Sequence, residues 1–144
     1  MDLPTRVGLG LLRVHQAIYD GSGGLIGHGM LGVPCLLLRT TGRRTGKSRT
    51  VSLVYARDGA DCLVVASLGG ADETPAWLYN VKARPEVGVQ IGRRRFPATA
   101  TVVELDDPDH ARLWWIVDEN NKGRYGRYQR KTERPIPVVR LTPA

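Results

Sequence analysis

The sequence predicts an α+β protein built around a small barrel or a strongly curled sheet. Most of the predicted strands lie close together in the chain as antiparallel hairpins, and helices are inserted between the hairpins. The length of 144 residues and the apolar fraction of 42% are those of one globular domain with its own core.

Residues 1–33 are predicted to form an amphipathic helix and a glycine-rich loop, ahead of a barrel over residues 34–144. Apolar side chains recur through residues 6–20 with a helical period, although two glycines weaken the pattern. Residues 21–32 contain too many glycines for a helix or a strand. The helix either packs on the barrel, covers a substrate or contacts a membrane surface.

Three strands are predicted between residues 34 and 67, joined as a meander. The stretch "PCLLLRT" is a continuous apolar run of strand length, and "RTVSLVYAR" alternates and is rich in β-branched residues. "DCLVVAS" follows the hairpin signal Asp58-Gly59. Residues 40–48 are then the loop between the first two strands.

The second half of the chain is predicted to alternate helices with strands. Thr74 and Pro75 are the expected cap and first residue of a short helix that ends at Arg84. "EVGVQIG" and "RFPATATVVELD" form a hairpin through the turn "GRRR". Asp107 and Pro108 are expected to cap and begin another helix, and "IPVVRLT" is the closing strand.

The net charge of +7 and the isoelectric point near 9.9 favour an anionic partner. Nucleic acid, an anionic membrane surface and a phosphorylated or polyacidic ligand all meet that condition. The aromatic residues are not interleaved with basic ones on a strand, as a stacking platform for nucleic acid requires. We therefore expect a small anionic ligand and no nucleic acid.

The histidines and cysteines give no sign of a metal site. His15, His28 and His110 are scattered, without a carboxylate or cysteine at ligand spacing. Cys35 and Cys62 lie in apolar runs and are expected to be buried, reduced thiols. No signal peptide and no apolar run of transmembrane length is visible. We expect a cytoplasmic protein, at most associated with a membrane surface.

The stretch "TTGRRTGKSRT" concentrates basic residues and ends like a phosphate-binding loop. A nucleoside triphosphate site is excluded, because Gly42 and Gly46 enclose only three residues and a strand-like segment follows. Arginine's planar fork suits phosphate or carboxylate, and the glycines let backbone N–H groups approach an anion. The alternatives are a discrete anion site and a solvated hairpin turn. The basic side chains are those of Arg43, Arg44, Lys47 and Arg49.

The stretch "ASLGGADETPAWLYN" is a second candidate site. Ser67 ends a strand, Gly69 and Gly70 permit close approach to a flat ligand, and a helix N-terminus with free N–H groups follows. Together these features can line one side of a planar ring. The alternative is an ordinary connection between a strand and a capped helix.

The stretch "KGRYGRYQRKTERPIPVV" is the third. Tyr125 and Tyr128 share a face if the segment is helical, and tyrosine can hydrogen-bond, stack or donate a proton. The alternative is that both rings pack on the core. No Ser-His-Asp or Cys-His arrangement and no acid pair can be recognised in the chain.

In this order the three segments resemble the deazaflavin (coenzyme F420)-dependent nitroreductases and quinone reductases of actinobacteria. The matching stretches are "LLLRTTGRRTGKSRTVSLVY", "VVASLGGADETPAWLYNVKARPEVGVQIG" and "YGRYQRKTERPIPVV", within residues 34–141. The resemblance implies a split β-barrel of six to seven mostly antiparallel strands. It also implies that reduced F420 donates a hydride to a small electron-poor acceptor, such as a quinone or a nitro compound.

The resemblance also implies which residues bind the cofactor, a flavin-shaped ring with a phosphate and an oligoglutamate tail. Arg43, Arg44 and Arg49 would face the phosphate and the tail, and Tyr125 would close over the ring. The implied binding residues are Arg43, Arg44, Thr45, Arg49, Thr50, Val51, Ser52, Leu53, Val54, Val65, Ala66, Ser67, Leu68, Ala76, Trp77, Leu78, Tyr79, Asn80 and Tyr125.

Three side chains are implied to act in catalysis. Ser67 would position the ring or the acceptor, Tyr125 and Tyr128 would shape the acceptor pocket, and Tyr128 or a water would deliver the balancing proton. The chain departs from the family at Leu68, where a basic residue often follows the serine. It also has Lys122 near the place of a further tyrosine found in some nitroimidazole-reducing members, so efficient nitro-drug activation is not expected.

Three other readings remain open at this point. A non-catalytic relative carrying a lipid or fatty acid would not need so many arginines. An FMN- or haem-binding split barrel is disfavoured by the T-G-R…W-x-x-N combination, and a nucleic-acid module is more distant. The sequence does not decide between a monomer and a homodimer.

Overall fold

The structure is a computed structural model, and it describes residues 33–144. The helix predicted within residues 6–20 and the loop over residues 21–32 lie outside the described part, as does the membrane contact suggested for that helix. Among the described helices, none has both the length and the apolar character needed to span a membrane.

Seven strands, three α-helices and one 3-10 turn make up the described part of the chain. In chain order they are β1 (Cys35–Thr41), β2 (Ser48–Val54), β3 (Ala56–Asp58), β4 (Asp61–Val65), the 3-10 turn (Leu68–Gly70), α1 (Ala76–Ala83), β5 (Glu86–Ile91), β6 (Arg94–Val103), α2 (His110–Asn120), α3 (Arg124–Gln129) and β7 (Val138–Pro143).

All seven described strands belong to one antiparallel sheet, in the order β2-β1-β5-β6-β7-β4-β3. The edge strands β2 and β3 are far apart in that order, yet only the buried Tyr55 separates them in the chain. The sheet must therefore curl until its two edges meet at Tyr55. This confirms the predicted α+β class, with seven antiparallel strands forming a curled half-barrel.

Strands β1 and β4 are buried on both faces of the curled sheet. Alternate residues of β4 point to opposite sides, so that Val64 joins one apolar cluster and Leu63 joins the other. Trp77 and Val81 of α1 pack in the first cluster, and Leu113 of α2 packs in the second. Burial on both faces explains why the sequences of these two strands read as continuous apolar runs.

The predicted three-stranded meander is wrong. The run "RTVSLVYAR" does not form one strand, because the chain turns at Tyr55 and continues as β3. β2 pairs with β1, whereas β3 pairs with β4, and the other neighbour of β4 is β7. The alternating pattern continues through the corner, so the sequence shows no break where the chain passes from one sheet edge to the other.

The two predicted hairpin turns are confirmed, and the predicted helix starts are displaced. Gly59 and Gly92 turn the β3–β4 and β5–β6 hairpins with positive φ values of 62° and 60°. Pro75 is the N-cap of α1, not its first residue, and Asp109 is the N-cap of α2. The carboxylate of Asp107 instead accepts the Asp109 N–H at 2.9 Å, which stabilises the turn before α2.

An ion pair fastens the β3–β4 hairpin to α2. Arg112 donates from Nη1 and Nη2 to the two carboxylate oxygens of Asp58, at 3.0 and 3.1 Å. The hydrogen bonds from Arg112 lower the pKa of Asp58 below its usual value of 3.8. The pair is largely solvent-exposed, so its contribution to stability is small.

We expect Asp58→Asn to lower the melting temperature slightly at neutral pH. Because the folded-state pKa of Asp58 is lowered, its stabilising contribution is present above the unfolded-state pKa and is lost as the pH falls through the folded-state value. Melting curves of the parent and the variant should therefore converge in acid. Asp106→Asn, in the exposed loop before α2, is the control. A difference in melting temperature that persists at acid pH would contradict a stabilising role for the ion pair between Asp58 and Arg112.

Candidate active site

A cleft of about 550 Å³ opens between the β1–β2 loop, the first half of β2, the turn after β4 and the start of α1. Its volume lies within the range of small-molecule and cofactor sites. Residues from all four segments line it, namely Thr40, Gly42, Arg43, Arg44, Thr45, Arg49, Thr50, Val51, Leu68, Thr74, Pro75, Ala76, Trp77 and Asn80.

The β1–β2 loop is a tight turn held by its own backbone. The Gly42 N–H donates to the Lys47 carbonyl at 2.7 Å, and the Gly46 N–H donates back to the Gly42 carbonyl at 2.9 Å. Gly46 has φ of +72°, a conformation that glycine adopts without strain. The loop carries Arg43 and Arg44 at the cleft with their side chains exposed.

Asn80 of α1 ties the arginine loop to the body of the protein. Its side-chain amide donates to the Thr40 hydroxyl at 3.2 Å, and its oxygen accepts the Arg43 N–H at 3.1 Å. The Arg43 guanidinium lies over the ring of Tyr79, 4.7 Å from its centroid, in a cation–π contact. The position of Arg43 is therefore set by α1 through both backbone and side chain.

The lining of the cleft combines two kinds of side chain. Arg43, Arg44 and Arg49 contribute positive charge. Val51, Leu68 and Trp77 contribute apolar surface. The N-terminus of α1 adds the positive end of a helix dipole. Such a cleft suits a ligand that combines a flat apolar part with a strongly anionic part.

The turn after β4 has an unusual backbone. Leu68, Gly69 and Gly70 all have positive φ values, of 46°, 64° and 84°, and for leucine this conformation is strained. A Cβ atom on Gly70 would lie 2.8 Å from the Tyr128 carbonyl oxygen, so only glycine fits there. The predicted close backbone approach at Gly69 and Gly70 is therefore an approach of Gly70 to α3.

Tyr125 and Tyr128 lie on the same side of α3, with ring centroids 6.1 Å apart. Tyr125 is 5% exposed and packs in the cluster formed by α2 and the outer face of the sheet. Burial raises the pKa of Tyr125, so its phenol stays protonated at neutral pH. Tyr128 is half-buried at the edge of that cluster.

The cleft brings together most of the loop, strand and helix residues that the sequence indicated. Of the predicted site residues it contains Arg43, Arg44, Thr45, Arg49, Thr50, Val51, Leu68, Ala76, Trp77 and Asn80. The other predicted residues are described in the structure but lie outside this lining, and they are Ser52, Leu53, Val54, Val65, Ala66, Ser67, Leu78, Tyr79, Tyr125 and Tyr128.

Four lining residues are missing from the list of implied cofactor-binding residues, although Gly42 belongs to the anion-binding loop that the sequence predicts. Thr40 and Gly42 precede the arginines, and Thr74 and Pro75 precede α1. All four lie inside the stretches that the sequence singled out, so their position next to predicted residues was the available signal. Thr74 and Pro75 had been assigned only to helix capping.

Neither the cysteines nor the acidic groups add chemistry to the cleft. Cys35 and Cys62 are buried free thiols, and burial raises the pKa of Cys62, which keeps it an unreactive thiol. Within residues 33–144 no three His, Cys, Asp or Glu side chains are grouped so as to hold a metal ion.

The curled antiparallel sheet is that of a split-barrel protein, and the lining of its cleft combines the charged and apolar side chains that a flat, anionic ligand requires. Residues 11–143 match the family described as F420H(2)-dependent quinone reductase. The chain is 55% identical over 141 residues to an F420H(2)-dependent quinone reductase of Mycobacterium tuberculosis, covering 97% of this chain and 95% of that one. The chain belongs to the F420H(2)-dependent quinone reductase family.

Two solved structures agree with this assignment. One, described as an F420-H2 dependent reductase (FDR-A), is 38% identical with a TM-score of 0.67, over 75% of this chain and 93% of that one. The other, described as a domain-swapped dimer, is 33% identical with a TM-score of 0.70, over 93% and 98%. The resemblance seen in the sequence is thus confirmed: the chain is an F420H2-dependent oxidoreductase, and its cofactor is reduced F420.

We expect Asn80→Ala to lower the free energy of unfolding by about 1–3 kcal/mol, because the Thr40 hydroxyl and the Arg43 N–H lose their buried partner. Urea titration of the purified protein measures the change. Arg84→Ala, an exposed position one turn further along, should leave the midpoint almost unchanged. Equal midpoints for the parent and Asn80→Ala would show that this side chain does not fasten the loop.

Proposed function

We propose that the 550 Å³ cleft is the F420 site and that the acceptor reduced there is a quinone. The observation that carries the proposal is the composition of the cleft lining, which combines three arginines with the apolar side chains of Val51, Leu68 and Trp77. F420 has the same two parts, a flat deazaflavin ring and an anionic phosphate with an oligoglutamate tail. The residues present therefore fit the cofactor in both charge and shape.

The roles of the side chains follow from this fit. Arg43, Arg44 and Arg49 bind the phosphate and the acidic tail, since guanidinium groups pair with such oxygens through two hydrogen bonds. The ring lies along the apolar side chains of Val51 and Leu68, and Trp77 borders it at the start of α1. Asn80 acts by holding Arg43 in place. When bound, reduced F420 supplies the hydride for the acceptor.

The remaining predicted contacts belong to the same proposal. The other residues of Thr50–Val54 and Val65–Leu68 support the strands along the ring, and Ala76 lies at the helix N-terminus facing the phosphate. Ser67 orients the ring or the acceptor. Tyr125, whose raised pKa keeps it neutral, acts as a hydrogen-bond donor or packing group and not as a base.

The acceptor and the assembly are the finer parts of the proposal. The family description favours a quinone, and nitro compounds are included as poorer acceptors, which a screen of both classes would test. The relative described as a domain-swapped dimer supports a homodimer, and sedimentation would test it. A cytoplasmic location fits a cofactor that is itself a soluble, charged molecule, and cell fractionation would test that.

We expect Arg43→Ala and Arg49→Ala each to weaken F420 binding by about tenfold or more, the effect of losing one charged hydrogen-bonding partner. Tryptophan fluorescence during F420 titration measures the affinity, and FMN, with its shorter anionic part, should bind more weakly. Arg93→Ala, an exposed arginine of the β5–β6 turn, is the matched control. Equal losses in all three variants would mean that only net charge matters, and no binding by the parent would remove the proposal.

We expect Tyr128→Phe to lower kcat for menadione reduction by about tenfold while F420 affinity stays the same, because the phenol supplies the balancing proton in this proposal. Steady-state rates at saturating F420H2 measure kcat. An unchanged kcat would assign the proton to water and leave Tyr128 a packing role.

A further inference from the structure

Arg134, in the segment between α3 and β7, binds three main-chain carbonyl groups with three different nitrogens. Nη1 donates to the Ala66 carbonyl at 3.1 Å, Nη2 to the Ser67 carbonyl at 2.8 Å, and Nε to the Ala71 carbonyl at 2.9 Å. The whole fork of the guanidinium is thus engaged with the turn after β4. Arg134 itself is partly buried and lies outside the lining of the cleft.

The three carbonyl groups stand on both sides of the left-handed residues. Ala66 and Ser67 come directly before Leu68, and Ala71 comes directly after Gly70. Leu68 is the residue in that run for which the conformation is strained, and its side chain lines the cleft. A single guanidinium therefore holds the ends of the turn at a fixed separation while Leu68 between them keeps an unfavourable backbone conformation.

The segment that carries Arg134 is itself anchored to α3. The Gln129 side chain donates from Nε2 to the Arg134 carbonyl at 2.8 Å and accepts the Ile136 N–H at 2.9 Å. Thr132 adds a hydroxyl bond to the Asp72 carboxylate at 2.7 Å. The turn of residues 66–71 thus has two supports. One is α3, which contacts Gly70, and the other is the segment that carries Arg134, which the Gln129 side chain holds in place.

We propose that Arg134 is a positioning residue of the cofactor site. It fixes the turn of residues 66–71 so that Leu68 forms the apolar wall of the cleft, and it touches neither cofactor nor acceptor. This inference rests on the proposed function in assigning the cleft to F420. Arginine is required because a lysine ammonium is a point donor and cannot reach three carbonyl groups in the same plane.

Amide hydrogen exchange on the cofactor-free protein tests the clamp itself. The Gly70 and Ala71 N–H groups close the turn by donating to the Ser67 and Leu68 carbonyl groups. In Arg134→Gln we expect these two amides to exchange about tenfold faster or more, with a smaller increase in Arg134→Lys and unchanged rates in the strands. Arg130→Gln, an exposed arginine four residues earlier, is the matched control. Unchanged exchange at Gly70 and Ala71 would overturn the proposal.

Titration with F420 and steady-state kinetics test the consequence. We expect Arg134→Gln to raise the dissociation constant and the KM for F420H2 by about tenfold, with Arg134→Lys in between and kcat at saturation near that of the parent. Faster exchange without weaker binding would overturn the positioning role. If Gln destabilises the whole fold, the Lys variant carries both tests. Failure of the parent chain to bind F420 would remove the proposed function, whereas the exchange result would still report on the clamp.

Discussion

The closure of the sheet at Tyr55 is the constraint on which the rest of this structure depends. β2 is one edge of the sheet and β4 is next to the other edge, yet Val51 of β2 and Leu68 after β4 line the same cleft. In a flat sheet with this strand order, β2 and β4 would be separated by several interstrand spacings of about 5 Å each. Curling brings them together, and one residue between β2 and β3 leaves the chain no other arrangement.

Given that closure, the site is assembled from segments that are remote in sequence and held by few polar contacts. Asn80 connects α1 to the arginine loop, and Arg134 connects the last segment before β7 to the turn that ends β4. Each contact uses a side chain with several donors or acceptors in fixed geometry. In the proposed assignment, the anionic tail of F420 pairs with the arginines of this loop, and this pairing accounts for the basic residues gathered there.

Local patterns in the sequence predicted the parts of the fold and site that local chemistry decides. The hairpin turns at Gly59 and Gly92 depend on neighbouring residues, and both appear where the patterns indicated. The loop that carries Arg43 also lies between the first two strands, as predicted. The resemblance to the family added the fold name and the cofactor. The family was identified from the lengths of the motifs and their order in the chain, because no single motif is specific for it.

Tertiary packing decides the parts that the sequence could not predict. The alternation in β2 and β3 continues through the corner at Tyr55, so the break is set by closure of the sheet and has no local signal. The burial of Tyr125 beside Trp114 of α2 is another feature that only the folded chain shows, and its predicted place over the ring stays a prediction. The contacts of Arg134 have no local signal either, since only the folded chain shows the three carbonyl groups that it binds.

The location of the cofactor is the central claim, and Trp77 allows a direct test of it. The chain has three tryptophans, and replacing Trp114 and Trp115 with Phe leaves Trp77 as the only indole, at the edge of the cleft. F420 titrated into that double variant should strongly quench the Trp77 emission, and the quenching should saturate. It should do so over the same range of F420 concentrations in which equilibrium dialysis detects binding. Binding by dialysis with unchanged Trp77 emission would place the cofactor elsewhere and contradict the assignment of the cleft.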